Sequence, residues 1–112
     1  MKVRENLKRG TVELILLYLM KEKDMYGYEL SQEMERRSEG KFTLKEGSMY
    51  PILYRMIDKK LITDNQVLVG RRRTRVYYNL EPEGLKYLEE ITAEYFFITE
   101  GISKILNFQE EE

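Results

Sequence analysis

The side chains best suited to contact another molecule lie in two neighbouring stretches, residues 46–60 and residues 71–75. In the first, polar, aromatic and cationic residues and one proline share a side of a predicted helix: Ser48, Tyr50, Pro51, Tyr54, Arg55 and Lys59. In the second, four of five residues are arginine: Arg71, Arg72, Arg73 and Arg75. Hydroxyl and guanidinium groups donate hydrogen bonds to base edges and phosphate oxygens, so both stretches indicate DNA binding. The alternative for the helix is an outer face that meets only solvent.

The periodicity of residues 46–60 predicts a helix with one buried side. Apolar residues recur at the spacing of a core-facing stripe: Met49, Ile52, Leu53, Met56 and Ile57. Ser48 is suited to cap free amides of the first turn. Pro51 lacks an amide hydrogen, so the helix is expected to begin close by, around Gly47 or Ser48. A helix that is apolar behind and carries Ser, Tyr and Arg in front can lie in a major groove.

Residues 61–80 predict two strands joined by the arginine-rich loop. β-Branched and aromatic residues are concentrated at 66–69 and 75–80, and Gly70 opens the connection. Clustered guanidinium groups repel each other unless a bound anion neutralises them or solvent and salt screen them. We favour the bound anion, because the cluster adjoins the candidate helix. A hairpin that directly follows a candidate recognition helix is typical of the wing of a winged helix.

Two further helices are predicted before the central one. The first starts at Gly10 or Thr11 and is apolar nearly all round, which predicts a buried helix. The second starts at Tyr26-Gly27-Tyr28 and runs to about Arg37. Gly27 is expected to let that helix start pass close to a neighbour, and the flanking tyrosines either contact phosphate or pack. Residues 1–10 form a solvated arm or lie along a phosphate backbone.

A long last helix is predicted from Glu81-Pro82 to about Phe108. Its apolar stripes are wider than packing within a small domain requires, which predicts a homodimer. The predicted interface consists of the stripe residues: Leu85, Leu88, Ile91, Thr92, Tyr95, Ile98, Ile102, Ile105 and Leu106. The alternative is a monomer in which this helix folds back onto the first helix. The expected organisation is a DNA-binding domain at 1–80, followed by a dimerisation helix and acidic tail at 81–112.

Composition restricts the classes of function. The chain has 112 residues without histidine or cysteine, so Ser-His triads, cysteine nucleophiles and His or Cys zinc sites are excluded. We therefore expect no enzyme, no cofactor and no metal site. No apolar run approaches the roughly 20 residues that span a bilayer, so no membrane partner is expected. Without a secretory signal or a disulfide framework, a cytoplasmic location is expected.

Charge is segregated along the chain although the net charge is only −1. Residues 41–75 carry nine cations against three acids, whereas residues 76–112 carry two cations against nine acids. Such segregation permits one positive face on a nearly neutral protein. The charge distribution therefore supports binding of a polyanion by the central block.

Four runs give the chain a resemblance to a known family: residues 9–13, 26–30, 46–51 and 75–78. With these runs the sequence resembles the PadR family of transcriptional regulators, in its short form with a single C-terminal dimerisation helix. The resemblance covers about residues 7–106. It implies a mostly α fold with a two-stranded β wing, that is, a winged helix-turn-helix plus a long C-terminal dimerisation helix. It also implies a homodimer that binds a pseudo-palindromic operator in double-stranded DNA and usually represses a neighbouring gene.

The resemblance further implies a small aromatic effector, because many members of the family respond to such compounds. Some hold a flat ligand with a tryptophan of the last helix, and this chain has none. Tyr95, Phe96 and Phe97 are the candidate ligand contacts in its place. The alternative function is a protein–protein adaptor, in which the winged helix binds an acidic partner without specific DNA binding.

Overall fold

A computed structural model describes residues 3–111, so Met1, Lys2 and Glu112 lie outside the described residues. Five helices and three strands occur within that range: α1 Val3–Lys8, α2 Val12–Glu22, β1 Met25–Tyr26, α3 Gly27–Arg37, α4 Glu46–Asp58, β2 Ile62–Leu68, β3 Thr74–Leu80 and α5 Pro82–Leu106. This mostly helical chain with a small antiparallel sheet confirms the predicted fold class. None of the helices within residues 3–111 is both long enough and apolar enough to cross a bilayer.

One apolar core joins α2, α3, α4 and the sheet. The core-facing stripe of α4 is confirmed, because Met49, Leu53 and Met56 are buried while Ile52 and Ile57 are partly buried. Helix α2 contributes the largest share of buried residues, as its nearly continuous apolar sequence predicts: Leu16, Leu17, Leu19 and Met20. This core fixes the orientation of α4 and leaves its opposite side to solvent.

The sheet has the order β1-β3-β2, with antiparallel neighbours throughout. Strands β2 and β3 pair from Ile62–Leu80 to Leu68–Thr74 and form the predicted hairpin. A hydrogen bond of 2.8 Å from the Val69 amide to the Arg73 carbonyl closes the loop. The sequence did not predict β1, whose two residues pair with Tyr77 and Tyr78 of β3. This short strand connects the base of the hairpin to the start of α3.

The start of α4 corrects two predictions. The helix begins at Glu46, so Pro51 lies in its second turn rather than near its first residue. Pro51 cannot donate a hydrogen bond to the Gly47 carbonyl, and this is tolerated because both residues are exposed and water can reach the carbonyl. The Ser48 hydroxyl makes no capping bond, because the cap residue is Lys45. Thr11 also caps no amide with its side chain, which instead donates to the Lys8 carbonyl at 2.6 Å.

Helix α4 ends in a tight reversal that feeds β2. Lys60 adopts a left-handed conformation with φ of 62°. Its amide donates to the Ile57 carbonyl and the Leu61 amide donates to the Met56 carbonyl, both at 2.9 Å. These two bonds form a Schellman motif in which a lysine stands where glycine is usual. The reversal places β2 directly against the end of α4.

The N-terminal segment, predicted to be a solvated arm or a phosphate contact, is partly helical. Helix α1 has no buried residue, and Val3 and Leu7 are exposed. The segment contacts the domain through Lys8, whose ammonium group donates to the Thr43 carbonyl at 3.2 Å and lies over the Phe42 ring. No apolar periodicity marks so short a surface helix, which explains why the sequence did not predict it.

The first turns of α5 belong to the core of the winged helix. Leu88 is only 3% exposed and Ile91 packs against the core, while the Tyr87 hydroxyl lies 3.4 Å from a carboxylate oxygen of Glu13 on α2. The structure therefore corrects the assignment of Leu88 to an interface, because its own domain covers it. These turns pack on α2, the first helix that the sequence predicted. The choice between a monomer and a homodimer stays a prediction. The functional division at residue 80 stays a prediction.

The second half of α5 projects away from the domain. Its apolar side chains are exposed from Tyr95 onward, including Ile98, Ile102, Ile105 and Leu106. The described chain accordingly extends over 73 × 29 × 23 Å with a radius of gyration of 16.9 Å. A compact domain of this length has a radius of gyration of about 13 Å. The projecting helix thus leaves a long apolar stripe uncovered by its own chain.

We expect Gly84→Ala to destabilise the fold by about 1–3 kcal/mol or more, because a methyl group at Gly84 collides with the Leu61 backbone carbonyl. Gly47→Ala is the matched control, since nothing lies near a methyl group there and alanine favours a helix. Thermal and urea denaturation measure both effects. An equal midpoint for the two variants would contradict the close approach at Gly84.

Candidate nucleic-acid interface

The outer side of α4 presents the side chains that the sequence singled out. Pro51 lies at the centre of this side, directly opposite the buried stripe, and Ser48, Arg55 and Lys59 are exposed. Tyr54 is 55% exposed. The predicted outward position of these five residues is therefore observed, with Ser48 near the start of the helix and the two cations toward its end.

Tyr50 differs from these residues because its side chain turns toward α3. A methyl group at Gly27 would lie 2.6 Å from the Tyr50 hydroxyl, so the absence of a side chain at Gly27 makes room for the phenol. The Tyr50 and Tyr54 rings stack with centroids 6.1 Å apart and an interplanar angle of 24°. Burial, reinforced by the Glu46 carboxylate, raises the pKa of Tyr50. Gly27 thus permits the close helix approach that the sequence predicted, and it positions Tyr50.

A groove of about 400 Å³ connects α4 to the wing. Its lining comes from the start of α3, the outer flank of α4 and strand β3: Tyr26, Gly27, Tyr28, Glu46, Tyr50, Tyr54, Thr74, Arg75, Val76 and Tyr78. Phenolic hydroxyls and one guanidinium group dominate its polar chemistry, with Glu46 as the single acid in the lining. Helix α4 and the wing therefore share one continuous surface.

The wing places its arginines in two environments. Arg71, Arg72 and Arg73 lie in the exposed loop between β2 and β3. Arg75 lies on β3, and its guanidinium carbon is 4.2 Å from the centroid of the Tyr26 ring. This cation–π contact was not predicted, because it depends on the pairing of β1 with β3. The loop arginines carry positive charge without a ring contact, whereas the Tyr26 ring gives the guanidinium group of Arg75 a defined position.

The cations of α4 and the wing differ from those of α3 in their partners. Arg36 and Arg37 bind Glu33 and Glu22 at 2.7 Å, and the hydrogen bond from Arg36 is the largest cause of the drop in the pKa of Glu33 to about 2. No carboxylate of residues 3–111 forms an ion pair with the remaining set of cations: Lys45, Arg55, Lys59, Lys60, Arg71, Arg72, Arg73 and Arg75. The positive charge around the groove is therefore available to an external anion.

The projecting half of α5 carries a separate aromatic cluster. The Tyr95 and Phe96 rings meet edge to face with centroids 5.2 Å apart, and Phe97 is 75% exposed. Tyr95 also lines a cavity with Arg9 and Thr11. The candidate effector contacts therefore lie on the second half of α5, apart from the groove between α4 and the wing.

Tyr78 lies at the floor of this groove and has a strongly perturbed hydroxyl. Burial, assisted by the neighbouring Tyr54, Tyr50 and Asp64, raises the pKa of Tyr78 to about 12 from the ordinary 10. The folded state thus favours the neutral phenol. This stabilising effect is complete below pH 10 and is lost as the pH rises through about 12.

We expect Tyr78→Phe to remove a late ionisation near pH 12 from the alkaline titration of phenolate absorbance. The urea-unfolded wild type is the control and should lack that late step, because unfolding exposes the hydroxyl to water. Persistence of the late step in the folded variant would contradict the assignment to Tyr78.

Comparisons with known proteins agree with this architecture. Uncharacterized protein X of Lysinibacillus sphaericus is 36% identical over 100 residues, which cover 89% of this chain and 92% of that protein. The crystal structure of a PadR family transcription regulator from Clostridium difficile R20291 has 35% identity and a TM-score of 0.77, covering 88% of this chain and all of that one. Bacillus subtilis PadR in complex with operator DNA, at 20% identity, shares the fold with a TM-score of 0.68; the match covers 73% of this chain and 46% of PadR.

The family model of the transcriptional regulator PadR-like family matches residues 16–90. The match runs from the buried part of α2 through α4 and the wing into the first turns of α5. It confirms the resemblance inferred from the four sequence runs and the expectation of a regulator rather than an enzyme. The chain belongs to the transcriptional regulator PadR-like family.

Proposed function

We propose that this regulator binds double-stranded DNA with α4 in the major groove and the wing against the phosphate backbone. The observation that carries the proposal is the shared groove, in which Tyr54 of α4 and Arg75 of the wing line one surface. A helix and a wing on one surface can contact a duplex at the same time. The operator DNA bound by Bacillus subtilis PadR, which has the same fold, supports this partner.

The electrostatics support phosphate as the main source of affinity. The wing arginines make no ion pair within residues 3–111, so no internal salt bridge has to break when they contact DNA. Each phosphate that they neutralise releases condensed counterions and makes binding salt-dependent. Base discrimination is assigned to Ser48, Pro51, Tyr54 and Arg55, with Lys59 on phosphate. Tyr50 contributes by supporting Tyr54, because its own hydroxyl faces Gly27.

The proposed active form is a homodimer on a pseudo-palindromic operator. The exposed stripe on α5 supplies the contact surface through Tyr95, Ile98, Ile102, Ile105 and Leu106, with Leu85, Ile91 and Thr92 at its inner end. Two α5 stripes packed about a two-fold axis would present two copies of α4 to the DNA. The half-sites would be roughly 34–36 Å apart, or a multiple of that distance. Symmetry then doubles the number of base and phosphate contacts.

We also propose that the dimer represses a neighbouring gene. A small aromatic effector that binds at Tyr95, Phe96 and Phe97 would release the dimer from DNA. The exposed rings on the projecting helix support this site. An effector acts only if it binds two dimer shapes with different affinity. Equal operator affinity with and without a panel of phenolic acids and planar drugs would remove the effector from the proposal.

We expect the double variant Arg72→Ala and Arg73→Ala to weaken binding to a promoter fragment and to random duplex alike. The slope of log affinity against log salt should flatten by roughly 0.9 for each lost phosphate contact. Fluorescence anisotropy over a salt series measures both quantities.

Lys86→Ala is the control for the wing variant. It removes an exposed cation from α5, a helix whose largest helix contact is with α2. Its affinity and salt slope should match the wild type. An unchanged slope in the arginine double variant would contradict the wing's role. Equal wild-type affinity for promoter and random duplex at moderate salt would favour the adaptor instead.

We expect Ile102→Asp to convert a dimer into a monomer, because symmetry would place two carboxylates in an apolar interface. Sedimentation equilibrium should give twice the 13.5 kDa chain mass for the wild type and a single chain mass for the variant. Ala93→Asp is the matched control, since it adds the same charge on the opposite side of α5. A wild-type monomer, or a dimer in all three proteins, would contradict the proposed interface.

A further inference from the structure

The Tyr26 ring lies between two side chains of β3. Its edge-to-face contact with Tyr77 has a centroid separation of 5.5 Å and an interplanar angle of 67°. The Arg75 guanidinium carbon is 4.2 Å from the same ring. Tyr26 and Tyr77 are directly paired in the sheet, and Arg75 lies two residues before Tyr77 on the same face of β3. The sheet register therefore brings all three side chains together.

We infer that Tyr26 is a positioning residue for DNA binding, because its ring holds the Arg75 guanidinium at a fixed place beside α4. The inference rests on the proposed function and adds a role for a side chain that need not touch DNA itself. A guanidinium group attracted to the face of an aromatic ring keeps its hydrogen-bond donors free at the ring edge. Arg75 can thus stay in contact with Tyr26 while it binds a phosphate.

The other wing arginines have no comparable support within residues 3–111. Arg71, Arg72 and Arg73 are exposed loop residues without a ring or acid contact. A flexible arginine loses side-chain freedom when it binds, and that loss weakens binding. Arg75 has already lost part of that freedom in the unbound protein. Its contribution to affinity therefore depends on Tyr26, whereas the contribution of the loop arginines depends mainly on their charge.

The same backbone segment also sets the position of α4. Tyr26 precedes Gly27, which is in close contact with the Tyr50 hydroxyl of α4. Two adjacent residues thus fix two distances, from β1 to the wing through Arg75 and from α3 to α4 through Tyr50. The spacing between the wing and the reading helix follows from both contacts.

The first test uses the protein without DNA. A ring face shifts the NMR signals of protons lying over it, so the side-chain protons of Arg75 should resonate upfield of those of Arg72. Tyr26→Phe keeps the ring and should preserve this shift, whereas Tyr26→Leu should abolish it. An Arg75 without the upfield shift in the wild type would overturn the inference, whatever the protein binds.

The second test measures affinity for the promoter fragment by a double-mutant cycle. Tyr26→Leu should weaken binding roughly two- to fivefold in the wild-type background and have no further effect in Arg75→Ala. Tyr26→Phe should bind like the wild type. The control is Tyr28→Leu, which removes an exposed tyrosine at the same helix start and should act independently of Arg75.

The outcomes separate this inference from the proposed function. Additive effects of Tyr26→Leu and Arg75→Ala, with specific DNA binding in the wild type, would overturn the positioning role and leave the DNA-binding proposal standing. A wild type that does not distinguish promoter from random duplex would overturn both, even with the ring shift present. Unfolding of Tyr26→Leu is detected by circular dichroism, and Tyr26→Met then replaces it as the variant that removes the ring.

Discussion

The whole architecture depends on how closely the start of α5 approaches the end of α4. The Leu61 carbonyl accepts a hydrogen bond from the Glu81 amide at 3.0 Å, and Gly84 passes the same carbonyl without a side chain. This contact closes the hairpin at its base, because Leu61 and Glu81 flank the two ends of the β2–β3 pair. The sheet, the end of α4 and the start of α5 are therefore joined at this point.

Local patterns predicted the parts of the fold that have strong periodicity. The stripe of α4 and the residues of the hairpin are evident because burial on one side selects apolar residues at fixed intervals. Strand β1 was missed because two residues carry no period and become a strand only by pairing with β3. Leu88 was misassigned because an apolar stripe does not reveal whether its own chain or a partner covers it. Tyr50 was expected to face outward, since helical spacing alone cannot show the space left by Gly27.

The sequence predicted which residue types form the candidate interface better than it predicted their contacts. The sequence identified the cations, because the charge imbalance of residues 41–75 is visible by counting. It could not show that Arg36 and Arg37 are held by Glu33 and Glu22 while the wing arginines are not. A cation is available to an external anion only if the fold brings no carboxylate next to it. The net charge of a segment does not show which cations are paired in this way. The family match covers three of the four runs that carried the resemblance, 26–30, 46–51 and 75–78, and leaves out residues 9–13.

The projecting half of α5 has a mechanical consequence. A helix of 25 residues is about 37 Å long, so a tilt of roughly 10° at its base moves its far end by about 6 Å. Because the Gly84 backbone lies against the Leu61 carbonyl, the start of this helix is packed on the base of the hairpin. In the proposed dimer, a small change in the packing of the two α5 helices would therefore produce a larger change in the distance between the two copies of α4. Contacts at the dimer interface, far from the DNA, would then determine which half-site spacing the protein fits.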